Sequence, residues 1–153
     1  MNTTKESLLN QYDAVTCGSF VIDCQNRLLI VHPTGNQSIH WSIPKGLVDE
    51  RESLYDAAVR ELREETSVNI HSYKHQMHPM GSIGYTHKSK SLSGFVFLLD
   101  DTIYQDIICT STFTDRKTNI RLPECDLSLW MNVDKAMDYI QPEQKDLFRR
   151  FSS

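Results

Sequence analysis

The stretch GLVDERESLYDAAVRELREETSV, residues 46–68, decides how this chain is read. Ser53 followed by Asp56 fits a capping box in its acidic form and opens a helix expected to run from about Ser53 to Thr66. At ~100° per residue, Tyr55, Val59, Leu62 and Thr66 fall on one stripe, which is expected to face the core. Glu61, Glu64 and Glu65 stand at i, i+3 and i+4, so their side chains are neighbours on an adjacent face. Like charges at those spacings destabilise a helix by about 0.2–0.5 kcal/mol per pair. Taken alone, three such glutamates read as a solvated acidic face. What surrounds them changes that reading. Gly46, Glu52, Arg60-Glu61-Leu62-x-Glu64-Glu65 and Val68 keep a fixed spacing. Ordinary residue frequencies give such a pattern by chance on the order of one time in a million for a chain of this length.

Outward from this stretch the sequence alternates strand and helix signals. VTCGSFVID (15–23) and RLLIVHP (27–33) are rich in β-branched and apolar residues, and the CQN between them reads as a hairpin turn. HWSIP (40–44) reads as a short strand that Pro44-Lys45-Gly46 breaks. GFVFLL (94–99) and LSLWMNV (127–133) read as further strands. Helices are expected at 133–140 and 142–151, the second with Pro142 in its first turn and Arg149 and Arg150 suiting its end. Interleaved strands and helices indicate an α/β fold, taken as one domain over 1–153.

The pattern in 46–68 closely resembles the signature box of the Nudix hydrolases. The resemblance implies an α/β/α sandwich with a central mixed sheet, the box forming a loop, a helix and a loop. It also implies hydrolysis of a pyrophosphate linkage with a divalent cation, Mg2+ or in its place Mn2+. The chemistry is consistent: hard cations neutralise dense phosphate charge and activate water, and they need several carboxylate oxygens converging on one spot. By the same resemblance Glu64 and Glu65 are metal ligands, and Glu61 is a third ligand or the water-activating base. Gly46 offers its carbonyl to the metal, and Glu52 and Arg60 form a structural ion pair. One position departs: Ser67 stands where the family usually has glycine. A left-handed backbone there costs an L-residue roughly 1–2 kcal/mol.

Family members commonly recruit a further acid from outside the box. Glu124, in LPECDLSLW (122–130), is preferred for that role over Asp100 and Asp101, which end the 94–99 strand. Lys45 reads equally well as a phosphate ligand or as a solvated turn lysine. Tyr85, Lys88 and Lys90 suggest a substrate-facing edge, although a solvated hairpin is the favoured reading. Trp41 and Trp130 are expected in the core or a pocket wall. His71, His75 and His78 lack the spacing of a dedicated metal site.

The bulk properties narrow the classes. The chain has 153 residues, 39% hydrophobic and 24% charged, which suits a globular protein. A net charge of −4 disfavours non-specific binding to long nucleic acid or anionic membrane. Cys17, Cys24, Cys109 and Cys125 show no Cys-x-x-Cys or zinc spacing and read as reduced, mostly packed thiols. The polar start MNTTKESLLNQYDA lacks an apolar signal core, and a cytoplasmic location is expected. The expected partner is a small nucleotide substrate, with no membrane; the resemblance allows a monomer or a homodimer. The leading substrates are nucleoside diphosphate derivatives of the dinucleoside polyphosphate, ADP-ribose, FAD or NADH type. The alternatives are a nucleoside triphosphate, the 5′ end of RNA, or a non-catalytic nucleotide sensor. Retention of all three box glutamates weighs against the last.

Overall fold

A computed structural model describes residues 4–35 and 40–153. Helix α1 (Lys5–Gln11) precedes strands β1 (Ala14–Ile22) and β2 (Arg27–Pro33), joined by a tight turn in which Asn26 takes φ 59°. Then come β3 (Lys45–Leu47), helix α2 (Leu54–Thr66), a 3-10 segment (Ile70–Gln76) and the hairpin of β4 (Met77–Gly84) and β5 (Lys90–Leu98). A small pair, β6 (Thr112–Thr114) and β7 (Arg121–Pro123), precedes β8 (Cys125–Asn132). Helices α3 (Val133–Ala136) and α4 (Pro142–Ser152) follow.

Among the described residues one sheet runs in the order β4-β5-β1-β2-β8, with β3 paired to β1. It is mixed: β1 and β5 are parallel, from Ala14↔Lys90 to Ile22↔Leu98, and the other pairings are antiparallel. Alternation along the strands feeds two cores. Phe20, Leu28, Ile30 and Val96 pack with Ala136, Ile140 and Leu147 from the α3–α4 side. Val21, Leu29 and Phe97 pack with Leu62, Val68 and Ile70 on the α2 side. Helices therefore cover both faces, which is the α/β/α sandwich with a mixed sheet. Among the described residues no helix is long and apolar enough to cross a membrane.

Three expectations need correction. HWSIP is not a strand: Ser42 makes one bridge to Val31 and Trp41 one to Ile140. The Ile43 amide donates to the Gln144 side chain instead, at 3.0 Å, and Pro44 has no N–H to give. Pairing begins where a break was expected, because Lys45, Gly46 and Leu47 meet Gly18, Cys17 and Thr16 of β1. The helix expected over 133–140 stops at Ala136. Helix α1 and strand β4 were not anticipated. Strand β4 contains Pro79 and Gly81, and its register shifts between them with Gly81 at φ 81°. An edge strand tolerates both.

Candidate active site

Helix α2 forms where its local code places it. The Ser53 side chain accepts the Asp56 amide at 3.0 Å, and Ser67 closes the helix in the left-handed region with φ 66°. The stripe of Tyr55, Val59 and Leu62 packs into the α2-side core as expected. The acidic face is not solvated as a whole. Glu61 and Glu65 are each only 7% exposed, whereas Glu64 is half-buried.

Glycine at position 46 makes this burial possible. A Cβ there would overlap the Glu61 carboxylate, so β3 lets the acid lie directly against its backbone. The neighbouring Lys45 amide donates to Glu65 Oε1 at 3.2 Å. Arg60 ties the assembly together. It donates to both Glu52 oxygens, at 3.0 and 2.6 Å, to the Leu47 carbonyl at 2.9 Å and to Glu61 Oε1 at 2.8 Å, and it lies 3.3 Å from Glu64 Oε2. The Glu52–Arg60 pair expected from the sequence is thus present. It is anchored in turn by Lys5, whose ammonium donates to the carbonyls of Asp49, Glu50 and Glu52 at 3.0, 2.8 and 2.5 Å. Sequence reasoning missed Lys5; nothing local marks a lysine more than forty residues from the loop it holds.

The electrostatics follow from this packing. Burial, then the Glu61 charge, pushes the Glu65 carboxyl up to about 8. Burial also raises Glu61 against the pull of Arg60, with Glu64 and Glu124 adding to the rise. Burial and Glu64 raise Glu124. Hydrogen bonds from Arg60 hold Glu52 below the usual carboxylate range. Lys45 is lowered chiefly by burial, an effect that Glu65 and Glu61 oppose and Lys88 augments.

Glu124 therefore stands in the field of all three box acids and lines a cavity of ≈ 200 Å³ with Lys45, Glu65 and Gln141. Asp101 is turned elsewhere, accepting from the Tyr73 hydroxyl at 2.9 Å. Tyr85 and Lys88 line an adjoining cavity of ≈ 330 Å³ with His40, His87, Gln141 and Glu143. Trp41 packs on the α3–α4 core and edge-on to His32, at 5.4 Å between ring centroids. Among the histidines without metal spacing, His71 neighbours Tyr55 and His78 neighbours Phe151. The four cysteines are free thiols; Cys17 and Cys125 are buried, and Cys24 is exposed.

Among the described residues, no three His, Cys, Asp or Glu side chains form a ready-made metal set. Arg60 accounts for this by drawing Glu61 and Glu64 toward its own guanidinium. The donors nonetheless fit a hard divalent cation. They are carboxylate oxygens, they are buried against one another at electrostatic cost, and they abut a backbone that only glycine leaves open.

Comparison with known proteins agrees with this architecture. The Nudix domain model matches residues 13–151. Nudix hydrolase 10 of Arabidopsis thaliana is 26% identical over 109 residues, covering 71% of this chain and 34% of that protein. The RNA pyrophosphohydrolase of Pelagibacter ubique is 39% identical over 51 residues, 33% of this chain and 32% of that one. The chain thus spans about a third or less of the length of the curated relatives it matches. The solved C. elegans Ap4A hydrolase shares the fold, with a TM-score of 0.63 at 22% identity, covering 91% of this chain and 95% of that one. With the family model spanning nearly all of its length, this chain belongs to the Nudix family.

Proposed function

We propose that the protein is a divalent-cation-dependent hydrolase that cleaves a pyrophosphate linkage in a nucleoside diphosphate derivative, with Mg2+ the natural ion and Mn2+ able to replace it. One observation carries the reading: Glu61 and Glu65 are buried together beside Gly46, with Glu64 and Glu124 in their field.

In this reading Glu61, Glu64 and Glu65 and the Gly46 carbonyl hold the cation. The ion supplies charge neutralisation of the phosphates and a more acidic water. Glu124 sits at the rim of the cavity, and burial has raised its proton affinity. In this reading it accepts the proton of an attacking water on its carboxylate. Lys45 and Lys88 orient the phosphates, and Tyr85 offers an aromatic face to the base. Trp41 stands between His40 and Ser42, which line the two cavities, and packs on the core beneath them. Glu52 and Arg60 position the box loop against α2 and touch no substrate.

A second reading has specific support: the local similarity to an RNA pyrophosphohydrolase favours a nucleoside triphosphate or RNA 5′ end as substrate. The net charge of −4 opposes a long RNA, which needs a basic track. Product analysis on a nucleotide panel with Mg2+ or Mn2+ separates the readings. Cleavage of a pyrophosphate bond, abolished by chelator and by Glu64→Gln, is the expected result. Turnover of no pyrophosphate compound, or an unimpaired Glu64→Gln variant, would sink the catalytic assignment.

A further inference from the structure

Two thiols, Cys109 and Cys125, converge beside the acid cluster. The pairing of β6 with β7 reaches Thr112↔Pro123, and one further bond extends it, from the Glu124 amide to the Ser111 carbonyl at 3.0 Å. That carbonyl also accepts from the Cys109 thiol at 3.5 Å. Cys109 therefore shares an acceptor with the residue that directly precedes Cys125. Both cysteines line one cavity of ≈ 290 Å³, together with Glu65, Ile107 and Asp126. Burial, then Glu65 and the neighbouring Cys109, raise the Cys125 thiol. The other two cysteines lie apart. Cys17 packs with Ala57 and Ala58, and Cys24 sits in the β1–β2 turn with its sulfur 3.3 Å from the Thr102 hydroxyl.

The converging thiols differ in access. Cys109 is half-buried, whereas Cys125 is 8% exposed. A thiol that solvent reaches, with a sheltered thiol beside it, is the arrangement of a redox pair. Each is also fastened to one side of the acid cluster. The amides flanking Cys109, those of Ile108 and Thr110, donate to the Thr66 and Glu64 carbonyls at 3.1 and 2.7 Å. Cys125 follows Glu124 in the chain. A covalent link between the sulfurs joins the end of α2 to the backbone of Glu124. Two sulfurs must close to about 2.05 Å to bond, so the link draws the segment around Cys109 toward β8.

Building on the proposed hydrolase reading, we propose that Cys109 and Cys125 form a reversible disulfide that slows hydrolysis by displacing Glu124 relative to the box glutamates. The oxidant is a peroxide. The Cys109 sulfur attacks one peroxide oxygen and the O–O bond breaks. The departing hydroxide takes the thiol proton, leaving a sulfenic acid and water. The Cys125 sulfur then attacks the Cys109 sulfur and the S–O bond breaks. The hydroxide released takes the Cys125 proton and departs as a second water. Each sulfur gives up one electron, and the two peroxide oxygens gain them. A dithiol restores both thiols by exchange.

The test uses the full chain carrying Cys24→Ser, which removes the exposed bystander thiol. Hydrogen peroxide treatment is followed by alkylation of the remaining thiols and tryptic mapping by mass spectrometry. Cleavage at Arg116, Lys117 and Arg121 separates the two cysteines, so a linked pair of peptides identifies the bridge. That linked pair is expected, with the hydrolysis rate down by roughly tenfold to a hundredfold, the cost of an ångström-scale misplacement. Dithiothreitol should restore the rate. Cys109→Ser and Cys125→Ala should each keep their rate through the same treatment. Sulfinic acid at Cys109 with Cys125 still free, or a bridge that leaves the rate unchanged, overturns the switch. If the reduced protein hydrolyses no nucleotide, the hydrolase reading fails separately, and the peptide map still decides the bridge.

Discussion

The Lys5 ammonium donates to the backbone carbonyl of Glu52 at 2.5 Å, across a separation of 47 residues. Through it the first helix grips the loop whose Glu52 side chain holds Arg60, and Arg60 in turn holds Glu61. Lys5→Met should speed amide hydrogen exchange across residues 48–53 and lower stability by about 1 kcal/mol, given a partly exposed charge-assisted contact. Unchanged exchange in that loop would show that the grip has no consequence in solution.

Gly46→Ala tests how tightly the acids are set. The added methyl overlaps the Glu61 carboxylate, which must move or push β3 away. An ångström-scale displacement in a catalytic site costs about a hundredfold in rate. A loss of that order in kcat, with weaker Mn2+ binding by calorimetry, is expected. Wild-type values in both would mean that Glu61 has room the geometry denies.

Glu65 predicts an inverted pH response. Its folded carboxyl is pushed up to about 8 from an ordinary value of 4.5, chiefly by burial. A raised carboxyl favours folding while it is protonated, so its contribution is full below the unfolded value and is lost as pH rises through about 8. In chelator, wild-type melting temperature should therefore fall relative to Glu65→Gln between pH 5 and pH 9, the conditions bracketing that window. The variant should be the more stable protein at the alkaline end and should gain little from added Mg2+. Parallel pH curves for the two proteins would contradict the burial of this charge.

Arg60 is a test of geometry over charge. Its guanidinium serves Glu52, Glu61 and the Leu47 carbonyl simultaneously, which an ammonium cannot match. Both Arg60→Met and Arg60→Lys should destabilise the protein, the first by about 2 kcal/mol, between the limits for exposed and buried pairs. Full rescue by lysine in thermal denaturation would reduce the role of Arg60 to its charge.

How much of this was legible depended on how local the cause was. Helix α2 was readable because Ser53 caps it and its apolar stripe repeats within thirteen residues. Strand β3 was not, because three residues carry no period, and their pairing to Cys17 and its neighbours is a tertiary fact. Strand β4 hides its period behind Pro79 and Gly81. Helix α1, at seven residues, is too short to hold itself, and Leu8 docks it on the body of the protein. In the site, box spacing pointed to Glu61, Glu64 and Glu65 together. The sequence favoured Glu124 over Asp101 by its place ahead of a strand, and the fold sets Glu124 in the field of the acids while Asp101 accepts from Tyr73.

Ser67 closes α2 in a backbone conformation that suits glycine. Its hydroxyl donates to the Ile108 carbonyl at 2.6 Å, and its own carbonyl accepts from the Gln105 side chain at 3.0 Å. The Ile108 amide bonds Thr66, and those of Thr110 and Ser111 bond Glu64. The irregular segment before β6 is thus splinted along the end of α2. Length changes in surface loops are ordinarily well tolerated. Here they would tug on the backbone that carries the glutamates through the splint, making residues 105–111 a remote handle on the proposed hydrolysis.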